Sequence, residues 1–152
     1  FCPTKSNDRN GLIIEKATEI GVTDFYPIIS QNSERRKWNF EKFYKVLVSS
    51  VKQSQQFWNP KIHEIQNYYN FISNNLEIDL KFLAHCKELK KNKIKDLSNP
   101  MKSQLLVVGP EGDFTLEELK LAEKNNFKMI SLGQNRLRTE TACIVGISIM
   151  KL

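Results

Sequence analysis

Apolar residues recur along the chain at two different spacings, and the alternation between them outlines an α/β protein. In "NGLIIEKATEIG" (10–21), Leu12, Ile13, Ala17 and Ile20 fall on one helical stripe, and Gly21 is placed to end the helix. "DFYPII" (24–29) reads as a strand, with Pro27 confining it to an edge or a strand terminus. "NFEKFYKVLVSSVKQSQ" (39–55) predicts a second helix with Phe40, Phe43, Val46 or Leu47, and Val51 inward. "NYYNFISNNL" (67–76) predicts a short third helix. Three apolar runs of strand length follow: "DLKFLAH" (79–85), "SQLLVVG" (103–109) and "FKMISLG" (127–133). Between the last two, Thr115 and Glu118 have the spacing of a capping box at the head of the helix "LEELKLAEKNN" (116–126). The final helix, "TETACIVGISIMKL" (139–152), is apolar nearly all round and calls for burial on more than one side. Strands that alternate with helices, without strict polar alternation, predict a mainly parallel sheet flanked by helices.

Composition narrows this picture. A length of 152 residues suits one domain, and 40% hydrophobic with 26% charged residues is ordinary for a globular protein. The longest apolar stretch, "ACIVGISIM", is far short of the roughly 20 residues of a membrane span. "FCPTKSNDRN" has neither the apolar segment of a signal peptide nor an initiator Met, so a fragment is expected. Cys2, Cys86 and Cys143 are odd in number and widely spaced, which argues against disulfides and metal and for a reducing cytoplasm. A net charge of +6 permits a polyanionic partner. The run "KELKKNKIK" reads as a solvated face. More telling, the Lys-rich chain spends few Arg: Arg9, the pair Arg35 and Arg36, and the pair Arg136 and Arg138. Guanidinium forks make bidentate contacts to carboxylate or phosphate that Lys cannot.

In open α/β sheets, ligands sit beyond the carboxyl ends of the strands, and here each strand ends in a marked sequence: "LAH", "GPEGDFT" and "LGQNRLRTETA". The second is neither a P-loop nor a dinucleotide fingerprint. Two readings of it stay open: a Pro-Glu-Gly turn entering a capped helix, or a backbone that Gly109 and Gly112 let a ligand press against. In the third, Thr139 as N-cap and Glu140 as dipole partner account for two residues and leave Arg136 and Arg138 unexplained. Cations at a helix N-terminus require a nearby anion.

"GPEGDFTLEE" and "LGQNRLRTETA" together resemble the signature of the bacterial 16S rRNA uridine-N3 methyltransferases of the SPOUT superfamily. "EKATEIGVTDFYPIISQNSERR", the Gln53-Ser54 pair and Pro60-x-Ile62 are similar to earlier segments of that family, so the likeness spans nearly the whole chain. It implies a C-terminal trefoil knot, bound S-adenosyl-L-methionine and a homodimer. It also implies an N-terminal β-barrel domain to which nothing in residues 1–152 corresponds, so these residues are expected to be the catalytic domain. The cofactor loops would comprise Leu83 and His85; Gly109, Pro110, Glu111 and Gly112; Leu132 and Gly133; and Leu137, Arg138, Thr139, Thr141 and Ala142. Glu111 would orient the neighbouring loops through Arg138. Candidate RNA contacts are Arg35, Arg36, Lys52 and Arg136, on small-subunit ribosomal RNA or an assembled 30S subunit. Asp113 departs from the family pattern, standing where a second Gly is usual; so do Asn135-Arg136 and "KQSQQ".

Methyl transfer to uridine N3 requires the imide nitrogen to lose a proton as it attacks. Arg138 is the candidate for stabilising the developing anion. Glu140 or Glu111 could accept the proton or merely pair with Arg138, and His85 is either a base or structural. Two other functions stay open: a non-catalytic RNA-binding module, and a SPOUT methyltransferase acting on tRNA or a ribose 2′-hydroxyl.

Overall fold

The computed structural model describes residues 1–74 and 77–152; Asn75 and Leu76, which close the third predicted helix, lie outside the described residues. In chain order the elements are α1 (Asn7–Ile20), β1 (Asp24–Phe25), β2 (Ile28–Ile29), α2 (Phe40–Gln53), β3 (Lys61–Ile62), β4 (Gln66–Asn67), α3 (Tyr68–Ser73), β5 (Leu80–Ala84), β6 (Asn92–Lys93), β7 (Gln104–Val108), α4 (Leu116–Lys124), β8 (Lys128–Ser131) and α5 (Thr139–Lys151). A parallel four-stranded sheet, ordered β6-β8-β5-β7, is the centre of the molecule. Two small parallel pairs, β1 with β3 and β2 with β4, flank it. The continuous strand predicted over 24–29 is thus broken in two at Tyr26-Pro27, because proline supplies no N–H to a ladder.

Period-two alternation along the central strands sends side chains to opposite faces. Leu83, Val107 and Met129 enter one core with Phe71 of α3, Phe114 of the loop before α4 and Leu119 of α4. Phe82, Ala84, Val108 and Ile130 enter another with Ile13 of α1 and Ala142, Cys143 and Met150 of α5. Both faces are therefore covered, and burying each large apolar side chain stabilises the fold by roughly 1.5–3 kcal/mol. A third cluster joins α1 to α2 through Ile14, Ala17, Phe43, Leu47 and Val51.

Two helix faces differ from expectation. On α1, Ile14 and Thr18 point inward and Leu12 is exposed, because the helix packs against both α2 and α5 and buries a wide arc. On α2, Phe40 is 45% exposed; Phe43, Leu47 and Val51 carry the packing. Gly21, in the left-handed conformation, closes α1 as expected. The capping box of α4 is complete: the Glu118 backbone N–H donates to the Thr115 hydroxyl at 3.2 Å, and the Thr115 N–H donates to the Glu118 carboxylate at 2.9 Å. Glu118 also accepts from the Gln31 N–H at 2.8 Å, so a cap read as local ties α4 to the loop after β2.

Candidate functional site

Because β7 and β8 lie on either side of β5, the loops after all three strands emerge side by side at the carboxyl edge. They enclose a cavity of about 530 Å³, in the range of a small-molecule site. His85 and Cys86 come from the first loop, Gly109, Pro110, Glu111 and Asp113 from the second, and residues 131–139 with Ala142 from the third.

Specific bonds hold the loops together. Thr139, the first residue of α5, donates its hydroxyl to the Gly109 carbonyl at 3.0 Å in a buried bond. Its side chain is therefore not the helix cap; Arg138 is the N-cap residue and makes no side-chain cap bond. Arg136 donates to the Glu111 carbonyl at 2.8 Å, so Arg136, rather than the Glu111 carboxylate with Arg138, links the second and third loops. Asp113 links the first two. Its carboxylate accepts from the Cys86 N–H and from the Phe114 N–H, each at 2.9 Å. Asp113 sits at φ 60, where an L-residue is strained and where the resembled family's glycine would be at ease. Reading the sequence missed this role, although the departure from Gly was its signal.

The glycines divide differently from expectation. A Cβ on Gly109 would come within 2.8 Å of the Phe114 ring, and one on Gly112 within 3.0 Å of Asn32. The protein itself crowds both, and Gly112 does not line the cavity. Gly133 is the residue that opens onto it: its φ is +152, and nothing lies within 4 Å of where a Cβ would stand. Leu83 points into the core, and Thr141 is exposed and off the cavity wall.

Two groups on the wall matter most for a ligand, and among the described residues their side chains have no partner. His85 is 7% exposed, and neither Nδ1 nor Nε2 makes a hydrogen bond. Burial, reinforced by Lys91, pushes its pKa below the ordinary histidine value, so the ring is neutral at pH 7. Lys91 is held there by a bond from Nζ to the His85 carbonyl at 3.3 Å; it belongs to the run expected to be wholly solvated. Arg138 lines the cavity and, among the described residues, forms no ion pair. Glu140 is buried off the cavity wall, with Oε1 3.5 Å from Arg9 Nε of α1 and Oε2 unpartnered. The structure therefore pairs Glu140 with Arg9 and not with Arg138. Arg35 donates to the Lys5 carbonyl at 2.7 Å, and Arg36 and Lys52 are exposed away from the cavity wall.

A neutral ring, an open glycine backbone and a guanidinium without an ion pair fit an organic ligand that combines a heterocycle with charge. Among the described residues, no group of three or more His, Cys, Asp or Glu side chains is arranged to hold a metal ion. No described helix is long and apolar enough to cross a membrane.

A parallel sheet with its strand-end loops closed round such a cavity defines an α/β protein that binds a small organic cofactor or substrate. The chain belongs to the RNA methyltransferase domain family, whose model matches residues 1–151. It is 34% identical over 148 residues to ribosomal RNA small subunit methyltransferase E of Rickettsia conorii, covering 95% of this chain and 60% of that protein. Among solved structures it superposes on a probable rRNA-methyltransferase from Porphyromonas gingivalis with a TM-score of 0.91 at 32% identity, covering 97% of this chain and 63% of that one. It also superposes on ribosomal RNA small subunit methyltransferase E from Neisseria gonorrhoeae bound to S-adenosyl methionine, with a TM-score of 0.84 at 27% identity, covering 95% and 62%. The chain thus spans about 60% of the length of the relatives it matches.

Proposed function

We propose that residues 1–152 form the catalytic domain of an S-adenosylmethionine-dependent methyltransferase that acts on uridine N3 of small-subunit ribosomal RNA. The observation that carries this reading is the cavity where the three strand-end loops meet, with His85, Gly133 and Arg138 on its wall. When bound, S-adenosylmethionine supplies an electrophilic methyl group.

The chain's own contribution is position and electrostatics. His85, kept neutral, forms part of the first-loop wall against which a heterocycle would lie. Gly133 allows close backbone approach beside Leu132, while Ala142 and Leu137 provide apolar wall. Pro110 and Glu111 shape the loop that Thr139 and Arg136 hold in place. Arg138, unpaired, is the catalytic candidate: as uridine N3 loses its proton, negative charge spreads to the flanking carbonyl oxygens, and a guanidinium there lowers the barrier. Glu140 is better placed as a positioning residue: through Arg9 it fixes the start of α5 and hence Arg138.

Arg35, Arg36, Lys52 and Arg136 are the proposed phosphate contacts, on naked RNA or an assembled 30S subunit in the cytoplasm. A trefoil knot is supported by the return of the segment after β8 to bond Gly109, across β5 from its own strand. A homodimer is supported by Ile144 and Val145 of α5, apolar side chains that the fold leaves half-buried.

The test is incubation with S-adenosylmethionine and unmethylated 30S subunits, followed by nucleoside mass spectrometry. N3-methyluridine is the expected product. A 2′-O-methyl product, or methylation confined to tRNA, would move the protein to another substrate, and absence of any transfer would contradict enzymatic activity.

A further inference from the structure

We propose that the exposed face at the start of α2 is a stacking platform for single-stranded RNA, built on Phe40 and Tyr44. One turn apart on the helix, the two rings lie nearly parallel, with centroids 5.7 Å apart and planes at 12°. They are 45% and 44% exposed, large apolar areas for side chains that the core does not use. The inward aromatic of this helix is Phe43, fully buried and stacked on Trp38 at 4.1 Å. Packing therefore accounts for Phe43 and leaves Phe40 and Tyr44 without a structural role.

Charge identifies the partner. Residues 35–52 carry six basic side chains against the single carboxylate of Glu41, in a chain whose whole net charge is +6. Nearly all of the excess positive charge is thus concentrated on this segment. Arg36, Lys37, Lys42 and Lys45 are all exposed and lie within four residues of one of the two rings along the chain. Protein interfaces shed Lys from their centres, whereas aromatic rings interleaved with Lys and Arg are what single-stranded nucleic acid requires: a π-face for each base and a cation for each phosphate. The chain just before the platform is tied to the second strand-end loop and to the N-terminal segment. Asn32 donates to the Gly112 and Asp113 carbonyls at 3.2 and 2.9 Å, and Arg35 donates to Lys5.

The kind of polymer rests on the ribosomal RNA reading above, but the platform is separate from the cavity and is tested separately. Binding of a fluorescein-labelled 12-nucleotide oligouridylate and of a 12-base-pair RNA duplex is measured by anisotropy. The proteins compared are the wild type, Phe40→Ala/Tyr44→Ala and Lys42→Gln/Lys45→Gln. All four residues are exposed, so folding should be retained, which circular dichroism checks. The aromatic variant should bind oligouridylate about tenfold more weakly or worse and keep its affinity for S-adenosylhomocysteine. The lysine variant should flatten the slope of log affinity against log salt by about 1.4, the counterion release of two single-strand phosphate contacts. Undiminished oligouridylate binding by the aromatic variant would overturn the proposal, as would no binding by the wild type or equal preference for the duplex. So would conversion of a wild-type dimer to monomer by Phe40→Ala/Tyr44→Ala, which would make the face a protein contact. Loss of S-adenosylhomocysteine binding by every protein, with RNA binding intact, would refute the cavity assignment and leave the platform standing.

Discussion

Asp113 allows two opposed energies to be separated at one position. Its carboxylate accepts from the Cys86 N–H at 2.9 Å, a tie between two walls of the cavity, and such a bond to a charged acceptor is worth about 1.5–3 kcal/mol. The second bond, to the adjacent Phe114 N–H, is local; the unfolded chain makes it too, so it contributes less. Against these stands the left-handed backbone at φ 60, which costs an L-residue roughly 1–2 kcal/mol. Asp113→Ala keeps the strain and loses the tie, and should destabilise the protein by about 1.5–3 kcal/mol. Asp113→Gly loses the tie but relieves the strain, and should be about 1 kcal/mol more stable than the Ala variant. Urea unfolding followed by the fluorescence of Trp38 and Trp58 measures both. The predicted order is wild type, then Gly, then Ala. Equal stability of the two variants would refute the account of the backbone, and an Ala variant as stable as wild type would refute the tie.

Arg138→Lys should retain affinity for S-adenosylhomocysteine and lower turnover by about a hundredfold; unchanged turnover would remove Arg138 from the chemistry. His85 has a folded pKa below the unfolded value, so the unfolded chain binds the proton first and stability should fall as pH drops below about 6.5. His85→Asn should lessen that loss between pH 7 and 5 in urea titrations, and an identical pH profile would exclude His85 as its source. Of the three thiols, exposed Cys86 on the cavity should react readily with a disulfide reagent and be shielded by S-adenosylhomocysteine. Cys143, buried and with its pKa pushed up to about 12, should react only on unfolding. Fast modification of Cys143 in the native protein would contradict the packing of α5 on the sheet.

The parts of this fold legible in the sequence are those whose cause is local or periodic. Strands β5, β7 and β8 are short apolar runs because both their faces are covered, and the Thr115–Glu118 box has its whole mechanism within four residues. Strands β3, β4 and β6, each two residues long, exist only through their partners, so no local pattern announces them, while β1 and β2 are legible only as one run over 24–29. The same limit applies to the site. Its three loops stand out by composition, yet the duties within them depend on distant neighbours. Gly109 is small because Phe114 lies against it, Thr139 bonds Gly109 instead of capping its own helix, and Glu140 meets Arg9 from α1. Gly133, unremarkable beside the Gly-Pro-Glu-Gly run, proves to be the glycine that opens onto the cavity.

The central claim is that this cavity holds a methyl-donor cofactor, and calorimetric titration of the chain with S-adenosylhomocysteine, with ATP as control, tests it most directly. Saturable binding of S-adenosylhomocysteine near one per chain, without binding of ATP, is the predicted result. A folded protein that binds neither, or binds ATP as tightly, would contradict it.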